Sequence, residues 1–186
     1  MPAPERTTLP TIVAAASGIL DRDGLDGLTM QAVATAVGVR APSLYKRVRS
    51  RDELIRLVAE SVAADLGAAL DRAEADSSDP RAAVVALAEA ARAFAHERPR
   101  AYKLLFASLP DAARPGRAAL DESARAVLAV AGGLAGEAHA LEAARTLTAW
   151  LNGFVLMELS GDFRLGGDLD AAFEFGAERL ARALER

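Results

Sequence analysis

Apolar residues return every three or four positions along most of this chain, and β-branched residues never alternate with polar ones over the length of a strand. Leu9, Ile12, Val13, Ala16, Ile19 and Leu20 form the first stripe, which predicts a helix from Leu9 to Asp23 with Gly24 and Gly27 bracketing its exit. Met30, Val33, Ala34 and Val37 repeat the spacing, with Thr29 as N-cap. Gly38 ends that short helix, because a residue without a Cβ enters the left-handed conformation a tight turn needs, and Val39 plugs the turn from below. Pro42 suits the first position of the next helix, expected to run to Val48. Leu44 and Val48 face inward in it, while Ser43, Tyr45, Lys46 and Arg47 face solvent or a partner. Ser50-Arg51-Asp52-Glu53 then fits a capping box, with two acids where the helix dipole favours them. The helix it opens, lined by Leu54, Leu57, Val58, Val62 and Leu66, extends to about Ala73.

The stretch Asp76-Ser77-Ser78-Asp79-Pro80 reads as a linker ending in an Asp N-cap and a proline. Helices are predicted beyond it at Arg81 to Glu97, from Pro99 through Tyr102, Leu105, Phe106 and Leu109, at Arg117 to Ala131, at Glu137 to Ser160 and at Leu169 to Leu184. Pro110, Pro115-Gly116, Gly132-Gly133 and Gly136 interrupt the series. The fold class is all-α, with eight or nine helices. A helix-turn-helix head is expected over 1–53 and a larger helical body over 54–186. The Glu137 to Ser160 helix has almost no polar face, so it is covered on all sides, by the core and by either its own chain or a second subunit. Leu147 and Leu151 there, with Phe173, Leu180 and Leu184 on the last helix, are the candidate dimer contacts.

Composition narrows the chemistry. There is no cysteine, which removes disulfides and thiolate ligands and fits a reducing cytoplasm, the expected location. His96 and His139 lie far apart in sequence, so no metal is expected. No run reaches the roughly 18 to 20 apolar residues of a membrane span, and the first ten residues lack a signal pattern. No nucleophile with a partner histidine and no Gly-rich phosphate loop is present, so neither an enzyme nor a cofactor is expected.

Charge changes the picture more. The net charge is -4, yet residues 1–60 hold 8 Lys+Arg against 7 Asp+Glu, and residues 61–186 hold 14 against 19. Within 40–56, six basic residues (Arg40, Lys46, Arg47, Arg49, Arg51 and Arg56) face two acids, Asp52 and Glu53. Affinity for phosphates follows local clustering, so a DNA-reading head on an acidic body is consistent with the total.

The segment LTMQAVATAVGVRAPSLYKRVRSRDEL, preceded by a helix ending in DGLDG, resembles the DNA-binding head of the tetracycline-repressor family of bacterial transcription regulators. The likeness spans about residues 7 to 60. The end of the chain, AWLNGFVLMELSGDF and GGDLDAAFEFGAERL, is similar to the family's C-terminal domains named for a Trp-His-Gly pattern, with Asn152 where histidine is usual. The resemblance implies a homodimer on a near-palindromic double-stranded operator, with half-sites about 34–36 Å apart, and a small-molecule effector that shifts the heads. It implies a phosphate contact for Tyr45, base or phosphate contacts for Lys46 and Arg47, and a phosphate clamp for Arg51. Arg47 alternatively stays a solvated charge, and Thr29 is a backbone contact or only a cap. Gln31 can pair with adenine, Ser43 lies beside it on the reading side, and Arg40 adds charge. In the body, Phe94, Tyr102, Phe106, Trp150, Phe154 and Met157 surround an apolar effector pocket in this architecture, with Tyr102, Asn152 and Glu158 as polar anchors. No tetracycline or magnesium site carries over. A ligand-released repressor is therefore expected; the alternative is a small-molecule binding module whose head no longer reads DNA.

Overall fold

The computed structural model describes residues 7–77 and 79–185. The start of the N-terminal stretch and Ser78 of the linker lie outside the described residues. Among the described residues are ten α-helices and no strand: α1 (Leu9–Gly27), α2 (Met30–Ala36), α3 (Ala41–Leu44), α4 (Arg51–Ala75), α5 (Pro80–Glu97), α6 (Pro99–Leu105), α7 (Arg117–Ser123), α8 (Arg125–Ala135), α9 (Ala140–Ser160) and α10 (Leu169–Leu184). Single 3₁₀ turns cover Asp111–Ala113 and Glu137–His139. No helix of the described residues is long and apolar enough to cross a membrane.

The chain divides into two compact units, Met1–Ala64 with Arg98–Leu120, and Asp65–Glu97 with Asp121–Arg186. The first extends past the boundary expected after residue 53, because α4 has no break there and α6 returns to pack on α1. In this unit Thr8 caps α1 by accepting from the Thr11 N–H. Gly24, at φ 77° and ψ -174°, breaks the helical path where the stripe ends, and one further turn leads to Gly27. Ile12, Ala16, Ile19 and Leu20 of α1 are buried with Leu28, Val33, Leu44, Val48, Leu54 and Val58. From α6, Ala101, Tyr102 and Leu104 are buried as well. Arg98 of the preceding turn pairs with Asp21 at 3.0 Å, and Arg100 donates to the Asp21 carbonyl at 2.8 Å.

The second unit takes α5, α8, α9 and α10. Asp79 accepts from the N–H groups of Arg81 and Ala82, both at 2.9 Å, and so caps α5 as the Asp-Pro pair predicts. Its core gathers Leu70, Val84, Leu87, Val130, Leu134 and Leu147, with several alanines between them. Two departures from the expected helices have local causes. Ala124, at ψ -3°, separates α7 from α8 where one helix was expected. Helix α8 then runs through Gly132-Gly133, where the missing side chain at Gly133 allows Pro80 to lie 3.3 Å from where a Cβ would sit. Gly136, at φ 85°, ends it instead. Asp168 caps α10 through the N–H groups of Asp170 and Ala171.

Candidate functional site

The outer face of the first unit is built around the α2–α3 turn. The Thr29 hydroxyl accepts from the Ala32 N–H at 3.1 Å, which fixes the start of α2. At its end Gly38 adopts φ 71°; its N–H reaches Thr35 O at 3.1 Å, and the Val39 N–H reaches Ala34 O at 2.9 Å. These two bonds satisfy carbonyls the helix leaves open and turn the chain sharply into α3. Helix α3 begins at Ala41, so Pro42 stands second in it. Only four residues are regular, and the expected continuation to Val48 is made by turns, closed by the Val48 N–H on Leu44 O at 3.0 Å. Leu44 and Val48 are fully buried and hold this segment to the core.

That anchoring leaves the polar side outward. Thr29, Gln31, Arg40, Ser43, Lys46 and Arg47 are exposed, and Tyr45 is 50% exposed, which separates it from the buried aromatic alternative. Gln31 lies 3.5 Å from the Thr35 hydroxyl, one turn along the same helix. Arg49, which sequence reasoning counted as charge without giving it a role, is exposed beside this set. Its position immediately before the Ser50 cap was the available signal. Its backbone N–H donates to Glu53 Oε2 at 2.6 Å, while Ser50 Oγ accepts from the Glu53 N–H at 3.1 Å, so the capping box closes one residue earlier than expected.

Arg51 holds backbone carbonyls. Its Nε donates to Leu28 O at 2.8 Å and its Nη2 to Leu25 O at 2.6 Å. Arg56 is also committed, to Glu60 at 2.9 Å and Glu53 at 3.7 Å. Arg40, Lys46, Arg47 and Arg49 are exposed on this face, and Arg51 is exposed too while its guanidinium bonds the two carbonyls.

The six aromatic and large residues expected around one pocket are divided between the two units. Tyr102 and Phe106 belong to the first unit, with ring centroids 5.1 Å apart. Tyr102 is 1% exposed there, and burial pushes its hydroxyl pKa up to about 12. Phe94, Trp150, Phe154 and Met157 are in the second unit. Phe94 is buried, Met157 is exposed, and Trp150 and Phe154 join Phe173 and Phe163 in a ring cluster with centroids 4.8–6.0 Å apart. The indole of Trp150 lies so close over Gly176 that a Cβ there would meet Cζ2 at 2.5 Å.

The second unit also holds a small apolar cleft, of about 40 Å³. Leu70, Val84, Leu87, Val127, Leu147 and Trp150 line it with Ala88, Leu151 and Thr148, whose hydroxyl is the lone side-chain polar group besides the indole N–H. Glu158, only 9% exposed at its side chain, lies away from that lining and faces Arg92 and His96. Arg92 hydrogen bonds hold the Glu158 carboxyl below its usual range against the opposing effect of burial, and His96, at 3.2 Å, acts in the same direction. Arg92 further pairs with Asp170 at 2.7 Å and lies over the Phe173 ring. The Oδ1 of Asn152 is buried without a hydrogen-bond partner among the described residues.

Of the residues expected at a dimer contact, Leu147 and Phe173 are enclosed by their own unit, and Leu151, Leu180 and Leu184 pack partly against its core. Phe175 of α10 and Met157 of α9 stand outward instead, Phe175 at 61% exposure.

A short helix, a tight turn and a second helix with an outward row of polar and cationic side chains define a helix-turn-helix DNA-binding transcription regulator. The chain belongs to the tetracycline-repressor family. The model described as bacterial regulatory proteins, tetR family, matches residues 6–58, and a tetracycline-repressor-like C-terminal domain matches residues 84–180. The HTH-type transcriptional regulator Rv0681 of Mycobacterium tuberculosis is 37% identical over 187 residues, covering 98% of this chain and 84% of that protein. The class E tetracycline repressor protein of Escherichia coli is 32% identical over 59 residues, 32% of this chain and 28% of that protein. Among solved structures, a protein of Rhodococcus sp. RHA1 is similar at 26% identity and a TM-score of 0.80, with both chains covered completely. A TetR variant of Acinetobacter baumannii AYE in complex with minocycline shares the fold, at 22% identity and a TM-score of 0.70, over 95% of this chain and 96% of that one.

Proposed function

We propose that this regulator is a repressor that binds a near-palindromic operator as a homodimer in the cytoplasm and is released by a small apolar effector. The observation that carries the reading is the outward row on α2, α3 and the following turn: Thr29, Gln31, Arg40, Ser43, Tyr45, Lys46 and Arg47, with Arg49 added. In it Tyr45 and the cations contact phosphates, and Gln31, Ser43, Lys46 and Arg47 reach base edges. Two copies supply the symmetry that a palindrome mirrors. The homodimer reading draws support from the outward apolar residues Met157 and Phe175, which replace the enclosed Leu147 and Phe173 as first choices for contact.

The effector reading rests on the cleft beside Trp150, whose walls carry no charged side chain and so favour an uncharged ligand. Trp150 is the member of the expected aromatic set that reaches it. Selection of genomic fragments by the purified protein, followed by sequencing, tests the DNA reading. An enriched near-palindrome is expected, with binding that falls steeply as salt is added and weakens in Tyr45→Ala and Arg47→Ala. Absence of any enriched sequence would instead favour a small-molecule binding module.

A further inference from the structure

The last carbonyls of a helix lack intrahelical partners, and something else must meet them. At the exit of α1 the chain breaks at Gly24 and makes one more turn, and Leu25 O accepts from the Leu28 N–H at 3.2 Å. The Arg51 guanidinium then takes Leu25 O and Leu28 O together, at 2.6 Å and 2.8 Å. Leu28 immediately precedes Thr29, the cap of α2, and Arg51 is the first residue of α4. A single side chain therefore joins the chain just before the helix-turn-helix to the chain just after it. A planar fork with fixed N–H directions suits two acceptors at once, whereas an ammonium group on a flexible stem does not hold both in the same geometry.

We infer that Arg51 is a positioning residue for DNA reading: by clamping Leu25 and Leu28 to the start of α4 it sets where α2 begins, and it makes no phosphate contact of its own. The DNA part of this inference rests on the reading of the chain as a DNA-binding regulator. Arg56 does not substitute for the clamp, since it is held by Glu53 and Glu60.

Arg51→Lys keeps the charge and loses the fork, and Arg51→Gln loses both. The first measurement uses no DNA: amide hydrogen exchange in the full chain. Exchange at Val33 and Val37 is expected to be about tenfold faster in both variants, with α9 unchanged. The second uses the duplex most enriched by the wild-type protein from a random-sequence pool, against an unselected duplex of equal length. Both variants are expected to lose about tenfold on the selected duplex and little on the unselected one, with the slope of log affinity against log salt as in wild type. Wild-type exchange and affinity in Arg51→Lys, or a salt slope smaller by about 0.9 in Arg51→Gln, would make Arg51 a phosphate contact and overturn the inference. Equal losses on both duplexes with faster exchange throughout the first unit would overturn it as well, in favour of general destabilisation. A pool with no enriched sequence would reject the DNA reading, and the exchange measurement would still decide whether the clamp holds α2.

Discussion

Gly38 sits at φ 71° with nothing within 4 Å of where a Cβ would be built, so substitution there isolates backbone conformation from packing. A residue with a Cβ in the left-handed region costs about 1–2 kcal/mol. Gly38→Ala also restricts the unfolded chain, which offsets about 0.4–1 kcal/mol. The net loss is about 1 kcal/mol, or a fall in melting temperature of about 2–4 °C for a chain of this size. Asparagine enters the left-handed region more readily than alanine, so Gly38→Asn should lose less. Gly24→Ala should lose more, because φ 77° with ψ -174° is a region that glycine alone populates freely. Urea titrations of the three variants, followed by circular dichroism, give the order directly. If Gly38→Ala matches wild type, or Gly38→Asn falls as far as Gly38→Ala, the left-handed turn is not what Gly38 supplies.

Gly176→Ala brings a methyl against the Trp150 ring and is expected to cost about 1–3 kcal/mol despite alanine's better helix propensity, measured by urea unfolding. Glu158→Gln is expected to be less stable than wild type near neutral pH. The Glu158 carboxyl is held below its unfolded value of 4.5, so its contribution is complete above that pH and is lost as pH falls through the lower folded value. The difference between the two proteins should therefore close in acid, which melting curves across pH test. On the proposed homodimer, Phe175→Glu is expected to favour the monomer in sedimentation equilibrium with little change in the helical signal, since that ring is 61% exposed.

What could be read from the sequence was local. Thr29, Gly38 and Asp79 announce helix ends through bonds that span two to five residues, and the structure makes all of them. The bounds of α10, Leu169–Leu184, are those expected from the apolar pattern. The bonds of Arg51 were not legible, because its acceptors are carbonyls 23 and 26 residues earlier and no side-chain pattern marks a backbone acceptor. Tyr102 and Phe94 look alike as helical apolar residues in the sequence, and only the return of α6 to α1 assigns Tyr102 to the first unit. Gly132-Gly133 looked like a break because glycine weakens a helix, yet close approach to Pro80 is the other use of a missing side chain.

The chain's chromophores are distributed so that each unit carries its own optical label. Both tyrosines, Tyr45 and Tyr102, belong to the first unit, and the single tryptophan, Trp150, belongs to the second, at the cleft wall and against Gly176. Indole emission excited alone reports the second unit, and tyrosine difference absorbance reports the first, with no label introduced. Denaturation followed by both signals at once separates concerted melting from stepwise melting. An uncharged quencher that dims the indole while leaving the tyrosine bands unchanged would locate its own binding to the second unit.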